Sequence, residues 1–339
     1  MKSFFAALLC LIVGTTTYGQ KTIDKVKFFK DSSVINATLT LNLKKILAGR
    51  DKIGELYPAT FSCKMEDGLD VNDHITVELR GHSRRAYCTL LPLKLIYKND
   101  PTDAFYKLKS VKLVSSCMAT PYDEQNLLKE FLVYKIYNLL TDKSFRVRLL
   151  NMSYRDSIGK KKTVTEHAFM LEDIKEVAKR NDCSDWTARR IGVSDIDRFQ
   201  MNEVAVFEYM IGNTDWGVTS DHNIRVIHSK SDSLSRPFAV PYDFDSSGFV
   251  NTNYSSPDAK LELESVRERL YMGPLATKEE LEAVFDVFNK KKAAIYAMIN
   301  NFNLLTPDTK KDVTGFLDRF YKTIDNPSKI KSTFINPVK

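Results

Sequence analysis

The chain has 339 residues, 43% of them hydrophobic and 27% charged, with a formal net charge of +7. This is ordinary globular composition, with enough chain for one large domain or two lobes, and it excludes a disordered or fibrous protein. The charge is dispersed, with no arginine-rich tract and no basic run interleaved with aromatics, so nothing points to nucleic acid.

Residues 1–19 read as a secretory signal. Lys2 supplies the positive start, residues 4–13 are apolar, and the small Thr17 and Gly19 precede a cut at Gln20. No later segment is long and apolar enough to span a bilayer. The mature chain is therefore expected to be exported, periplasmic or extracellular, without a transmembrane segment. Cys63, Cys88, Cys117 and Cys183 follow the signal. An oxidising compartment permits disulfides, and Cys88 with Cys117 is the first candidate pair. Their spacings match no zinc motif.

Residues 22–29 and 33–43 alternate apolar and polar side chains and read as strands. Residues 44–49 form a short helix or turn. Residues 59–63 and 74–80 are further strands, either side of a turn-rich stretch. Residues 20–73 thus look like a β-rich extension ahead of a first lobe, residues 74–172. Next comes R-G-H-S-R-R at residues 80–85, a basic loop leading to a strand at 91–97. Backbone N–H and guanidinium groups on such a loop can cradle phosphate, with Arg80, Gly81 and Ser83 as candidates. It is no Walker motif; a solvated hairpin tip is the plainer alternative. Another strand covers residues 107–115 and an apolar helix residues 123–140. A strand lysine followed by a helix glutamate is the order in which a kinase builds its phosphate-positioning ion pair. Lys112 and Glu130 fit it best, and Lys94 is the rival lysine. Residues 145–154 and 163–171 read as paired strands. Glu172 follows them, where a two-lobed kinase would place its adenine edge.

The second lobe, residues 173–326, is mainly helical, with helices at 195–212, 278–302 and 308–322, and residues 327–339 read as a frayed tail. Its centre is residues 211–250. A helix ends at Gly212, and Asn213, Asp215, His222 and Asn223 crowd the next dozen residues. Two β-like runs follow, the second ending in Asp243 and Asp245. Singly, such residues are ordinary turn and cap formers. Together they have the order that phosphoryl transfer requires: an acid to take the acceptor's proton, then an amide and an acid for divalent metal. The expected fold is α+β, a two-lobed atypical protein-kinase-like arrangement.

At these positions the chain resembles the CotH-like (spore coat protein H-type) family of secreted atypical kinases. The matching stretches are R-G-H-S-R-R, P-L-K-L at residues 92–95, K-L-K-S-V-K-L-V at 107–114 and the 123–140 helix. S-F-R-V-R-L at 144–149, F-M-L-E-D at 169–173, G-N-T-D-W with H-N-I, and P-Y-D-F-D complete them. They cover roughly residues 75–250. The resemblance implies transfer of the γ-phosphate of ATP, with Mg or Mn, to Ser or Thr of an envelope or secreted protein. It implies Asp215 as catalytic base and Asn223 and Asp243 as metal ligands, with Asp245 either a further metal ligand or an orienting acid. Arg80, Gly81 and Ser83 would cover the phosphates, which Lys94 or Lys112 would contact with Glu130 as partner. Two departures stand out. Asn223 lies eight residues after Asp215, further than in ordinary kinase catalytic loops, and His82 stands where a small polar amide is expected. The alternative function is a catalytically inactive kinase-like binding module of the cell envelope. A third keeps the fold but transfers AMP or modifies a small molecule.

Overall fold

The computed structural model describes residues 22–81, 83–187 and 191–336; the expected signal sequence and His82 lie outside the described residues. Strands β1 (Ile35–Leu41), β2 (Leu56–Lys64), β3 (Asp70–Leu79), β4 (Leu93–Ile96), β5 (Ser110–Ser115), β6 (Val147–Asp156) and β7 (Val164–Leu171) form a closed barrel in the order β1-β2-β3-β4-β5-β7-β6. A separate three-stranded sheet contains β8 (Cys183–Asp185), β9 (Ile224–Ser229) and β10 (Phe238–Pro241).

This corrects the expected two-lobed kinase-like fold. Strands from both the expected extension and the expected first lobe belong to this one barrel. β1 pairs antiparallel with β2 and parallel with β6, so it closes the barrel and leaves no free edge. The registers Ile35↔Leu150 and Leu41↔Asp156 bracket that seam. Strand alternation shows why it closes. Leu39, Phe61, Val77, Leu95, Leu113, Leu150 and Met170 are buried in one continuous apolar core that includes Phe105.

The helices in chain order are α1 (Lys25–Lys30), α2 (Leu43–Ala48), α3 (Ser83–Tyr87), α4 (Pro121–Leu140), α5 (Ile174–Arg180), α6 (Arg198–Ile211), α7 (Lys278–Asn301), α8 (Pro307–Ile324) and α9 (Pro327–Ile330). The alternation that suggested a strand at residues 22–29 is overridden. The Asp24 carboxylate accepts from the Lys27 N–H and caps α1, and the sequence neighbours Phe28 and Phe29 are both buried. α1 sits beside Arg148, whose guanidinium is buried and bonds Asp31 at 2.9 Å, Ser33 Oγ at 2.6 Å and the Phe28 carbonyl.

α4 joins the barrel to the rest. Thr120 caps it, Pro121 starts it, and Asp123 and Glu124 lie in its first turn, where acids suit the helix dipole. Leu128, Phe131, Val133, Tyr134 and Ile136 are buried in a second core. That core takes Val114, Val147, Leu149 and Phe169 from the barrel strands, and Phe207, Phe244, Phe288 and Phe320 from the second half. The expected frayed tail is packed where it is described. Phe334 is fully buried against Tyr209, Tyr271 and Phe285, with ring centroids 4.9–5.2 Å apart.

Candidate functional site

A cleft of about 880 Å³ opens where the basic loop after β3 faces the segments following α6 and β10. Arg80, Gly81, Arg84 and Tyr87 line one wall, and Asp215, His222, Asn223, Asp243 and Asp245 the other.

The acidic wall begins at the end of α6. Gly212 is left-handed, φ 66°, and a Cβ there would stand 2.9 Å from Phe316 Cζ, so only glycine suits this turn. The chain leaves the helix into buried Asn213, whose Oδ1 accepts from the Asp215 N–H at 3.1 Å. Gly217 and His222 exchange two backbone hydrogen bonds, 2.9 and 3.0 Å, and fold residues 217–222 back on themselves. This loop absorbs the long spacing between Asp215 and Asn223. His222 Nε2 lies 2.7 Å from Asp215 Oδ1. Asn223 Nδ2 donates to the Asp215 carbonyl at 2.7 Å and to Oδ2 at 3.2 Å.

The β9–β10 hairpin then carries the chain out and back. The Tyr242 N–H donates to the Asn223 carbonyl at 3.0 Å, which brings Asn223 and Asp243 to the same end. Both are left-handed, with φ of 52° and 66°. Non-glycine residues hold that conformation at a cost, and such strain collects at functional sites. Tyr134 of α4 accepts the Asp243 N–H on its hydroxyl at 2.8 Å.

Asp245 accepts from Tyr254 Oη at 2.9 Å and lies 3.7 Å from Arg84 Nη1. Burial, then repulsion from Asp243, pushes its carboxyl up to about 6, against the pull of Arg84. Glu130 is buried behind it and its pKa is raised, by burial first and then by Asp245 and Asp243. Arg84 is fixed by donating to the Ser115 carbonyl at 2.6 Å. α3, which carries Arg84, is followed by the Cys88–Cys117 disulfide, the expected pair. Arg80 has no carboxylate within ion-pair distance among the described residues, which leaves its guanidinium facing the cleft.

The structure therefore gathers Arg80, Gly81, Asp215, Asn223, Asp243 and Asp245 around one cleft. Ser83 opens α3 beside them. It does not assemble the lysine–glutamate pair. Lys94 and Lys112 are cross-strand neighbours, and Lys94 lies 3.5 Å from Glu78. Lys112 lies over the Tyr242 ring at 4.6 Å, and desolvation, then Arg80, lowers its pKa. Neither lysine pairs with Glu130; the cations acting on it are Arg84 and Arg80. Glu172 is held elsewhere, 3.1 Å from Arg180 and accepting the Arg146 N–H at 3.0 Å, and does not line the cleft. Arg84 belongs to the expected basic loop, but its approach to Asp245 is not foreseen, and neither are Tyr134 and Tyr254. The doubled arginine after Gly81 pointed to Arg84, and Tyr134 stands one helical turn after Glu130, but nothing in the sequence marked Tyr254.

The donors are hard oxygens: two carboxylates and the Asn223 amide oxygen. Among the described residues no three His, Cys, Asp or Glu side chains form a metal-holding group on their own. Asp243, Asp245 and Asn223 suit a cation such as Mg²⁺, which binds one or two carboxylates and completes its shell with water and phosphate oxygens. Neither a family model nor a curated protein matches this chain.

Proposed function

We propose that the cleft is a phosphotransfer site that moves the γ-phosphate of ATP to a Ser or Thr hydroxyl of an envelope or secreted protein. One observation carries this reading: Asp215, Asn223, Asp243 and Asp245 face Arg80 and Arg84 across a single cleft of about 880 Å³. The resemblance to CotH-like kinases enters through these residues and not through the fold. An exported location is supported by the N-terminal sequence pattern and by the Cys88–Cys117 disulfide.

Asp215 is the base. Its Oδ1 is held by His222 and its Oδ2 is 3.2 Å from Asn223 Nδ2, so the carboxylate is oriented before an acceptor arrives. The acceptor oxygen forms a bond to the γ-phosphorus, the bond to the β,γ-bridging oxygen breaks, ADP leaves, and the hydroxyl proton passes to Asp215. Arg80 and Arg84 stabilise charge on the phosphate oxygens. Asp243, Asp245 and the Asn223 oxygen would hold Mg²⁺ or Mn²⁺, which when bound neutralises charge on the β- and γ-phosphates.

The same contacts give the second reading its support. Both Asp215 oxygens already have partners, as in a module that binds a ligand without turning it over. The test has two parts. Thermal shift with ATP, with and without Mg²⁺ or Mn²⁺, should show metal-dependent stabilisation of roughly 2.7 kcal/mol at a hundred times Kd. Asp243→Ala should abolish it. Mass spectrometry of protein substrates should then find phosphate added by wild type and not by Asp215→Ala, with metal-dependent binding retained in that variant. Binding without transfer selects the module; an adduct of AMP mass identifies nucleotidyl transfer. No metal-dependent shift in folded protein refutes the nucleotide site.

A further inference from the structure

We propose that Glu208 is a positioning residue for the Asp215 loop and acts through Asn213; the inference rests on the phosphotransfer reading above. Glu208 lies on the last turn of α6 and is 1% exposed, as is Asn213. Asn213 Nδ2 donates to Glu208 Oε2 at 2.9 Å, and Asn213 Oδ1 accepts the Asp215 N–H at 3.1 Å. Two hydrogen bonds thus run from the buried carboxyl to the backbone of the catalytic acid.

The carboxyl is not needed to finish the helix. The Glu208 main-chain carbonyl already does that, accepting from the Asn213 N–H at 2.8 Å, while the Gly212 N–H bonds the Tyr209 carbonyl. Burying a carboxyl as deeply as Glu208 is costly without a partner. Its one side-chain partner among the described residues is Asn213, and its Oε1 has none. Asn213 needs that acceptor to fix which way its amide points. Turned over, it would present N–H to the Asp215 N–H and release the loop. The same helix end also anchors the opposite side of the acidic wall. The Gly248 N–H donates to the Gly212 carbonyl at 2.9 Å, and the Phe249 N–H to the Ile211 carbonyl at 2.8 Å. Loss of the Glu208 link should therefore shift Asp215 while leaving the segment after Asp245 in place.

The experiment compares the mature protein with Glu208→Gln, which keeps a neutral acceptor, and Glu208→Leu, which removes it. Hydrogen exchange by mass spectrometry follows a peptide covering residues 213–217. Steady-state transfer with Mg–ATP is measured alongside. In Glu208→Leu, exchange should rise and kcat fall by roughly ten- to hundredfold, with the KM for ATP within about threefold of wild type. Glu208→Gln should match wild type in both. Unchanged exchange in folded Glu208→Leu, or equal damage from Gln and Leu, would overturn the proposal. If the leucine variant does not fold, Asn213→Ala cuts the same link from its other end and must raise exchange at residues 213–217. Wild-type protein without transfer activity would refute the phosphotransfer reading, while the exchange arm would still decide whether Glu208 positions the loop.

Discussion

Glu203 sits one turn into α6 with 4% of its surface exposed, and burial pushes its carboxyl from 4.5 up to about 7, against the nearby Lys143 charge. The unfolded chain loses this proton near 4.5 and the folded chain keeps it to about 7, so the native state binds more protons in between. Stability contributed by Glu203 is therefore present below about pH 4.5 and is lost as pH rises towards 7. Glu203→Gln removes that dependence. Urea unfolding at pH 4.5, 6 and 8 should show the variant gaining on wild type with pH, by up to roughly 3 kcal/mol at pH 8; a constant difference would contradict the assignment. Residue identity was legible in the sequence where a spacing carried it. Asp215, Asn223 and Asp243 could be picked out because an acid, an amide and an acid bracket a hairpin. The cations could not be chosen that way. Lys94 and Lys112 satisfied the order strand lysine, then helix glutamate, but strand register put them side by side, with Lys94 paired to Glu78. The guanidinium that reaches Asp245 comes from Arg84, on a five-residue helix too short to leave a periodic signal.

Elements with strong local signals formed where the sequence placed them. α4 has its cap, its proline and its first-turn acids within five residues, and β6 and β7 pair antiparallel across a turn. α1 departs from the expected strand because a six-residue helix and a strand of that length bury similar numbers of apolar side chains, and the Asp24 cap decides between them. Barrel closure was illegible for another reason. β1 finds β6 across more than a hundred residues, and parallel pairing leaves no turn motif to announce it. α3 falls within the expected basic loop, and its position depends on a covalent tie. The Cys88–Cys117 bond spans 29 residues and fastens the end of α3 beside β5, where Arg84 meets the Ser115 carbonyl. Chain-entropy arguments assign a loop of this size about 3–4 kcal/mol. Cys88→Ser/Cys117→Ser protein should therefore melt several degrees lower. It should also bind ATP–metal more weakly than wild type at a temperature where both are folded, because Arg84 loses its mooring. A drop in melting temperature with unchanged nucleotide affinity would show that the backbone bonds from Thr89 and Leu90 to the Cys117 carbonyl suffice to hold the arm.

Among the described residues two apolar cores support the groups that face each other across the 880 Å³ cleft. The barrel core is self-contained, but the outward faces of β5, β6 and β7 belong to the second core, and α4 is buried there on nearly every side. Neither half can then release its partner without exposing Phe169, Leu149, Phe131 and Tyr134 to water, so the two should unfold together. The sequence supplies a convenient test, because its two tryptophans, Trp186 and Trp216, both lie in the second half. Tryptophan fluorescence reports that half alone, whereas far-ultraviolet circular dichroism reports barrel and helices together. The two urea midpoints should coincide in wild type. Phe169→Ala removes a fully buried ring that contacts Phe131 and Tyr134 and should cost roughly 3–5 kcal/mol. Both midpoints should fall by the same amount in that variant, although the substitution lies in the barrel and the fluorescence arises outside it. A fluorescence midpoint unmoved by Phe169→Ala, or a two-step dichroism curve in wild type, would mean that the barrel unfolds on its own. The cleft, with arginines from one side and acids from the other, would then lie across a junction that opens before either core melts.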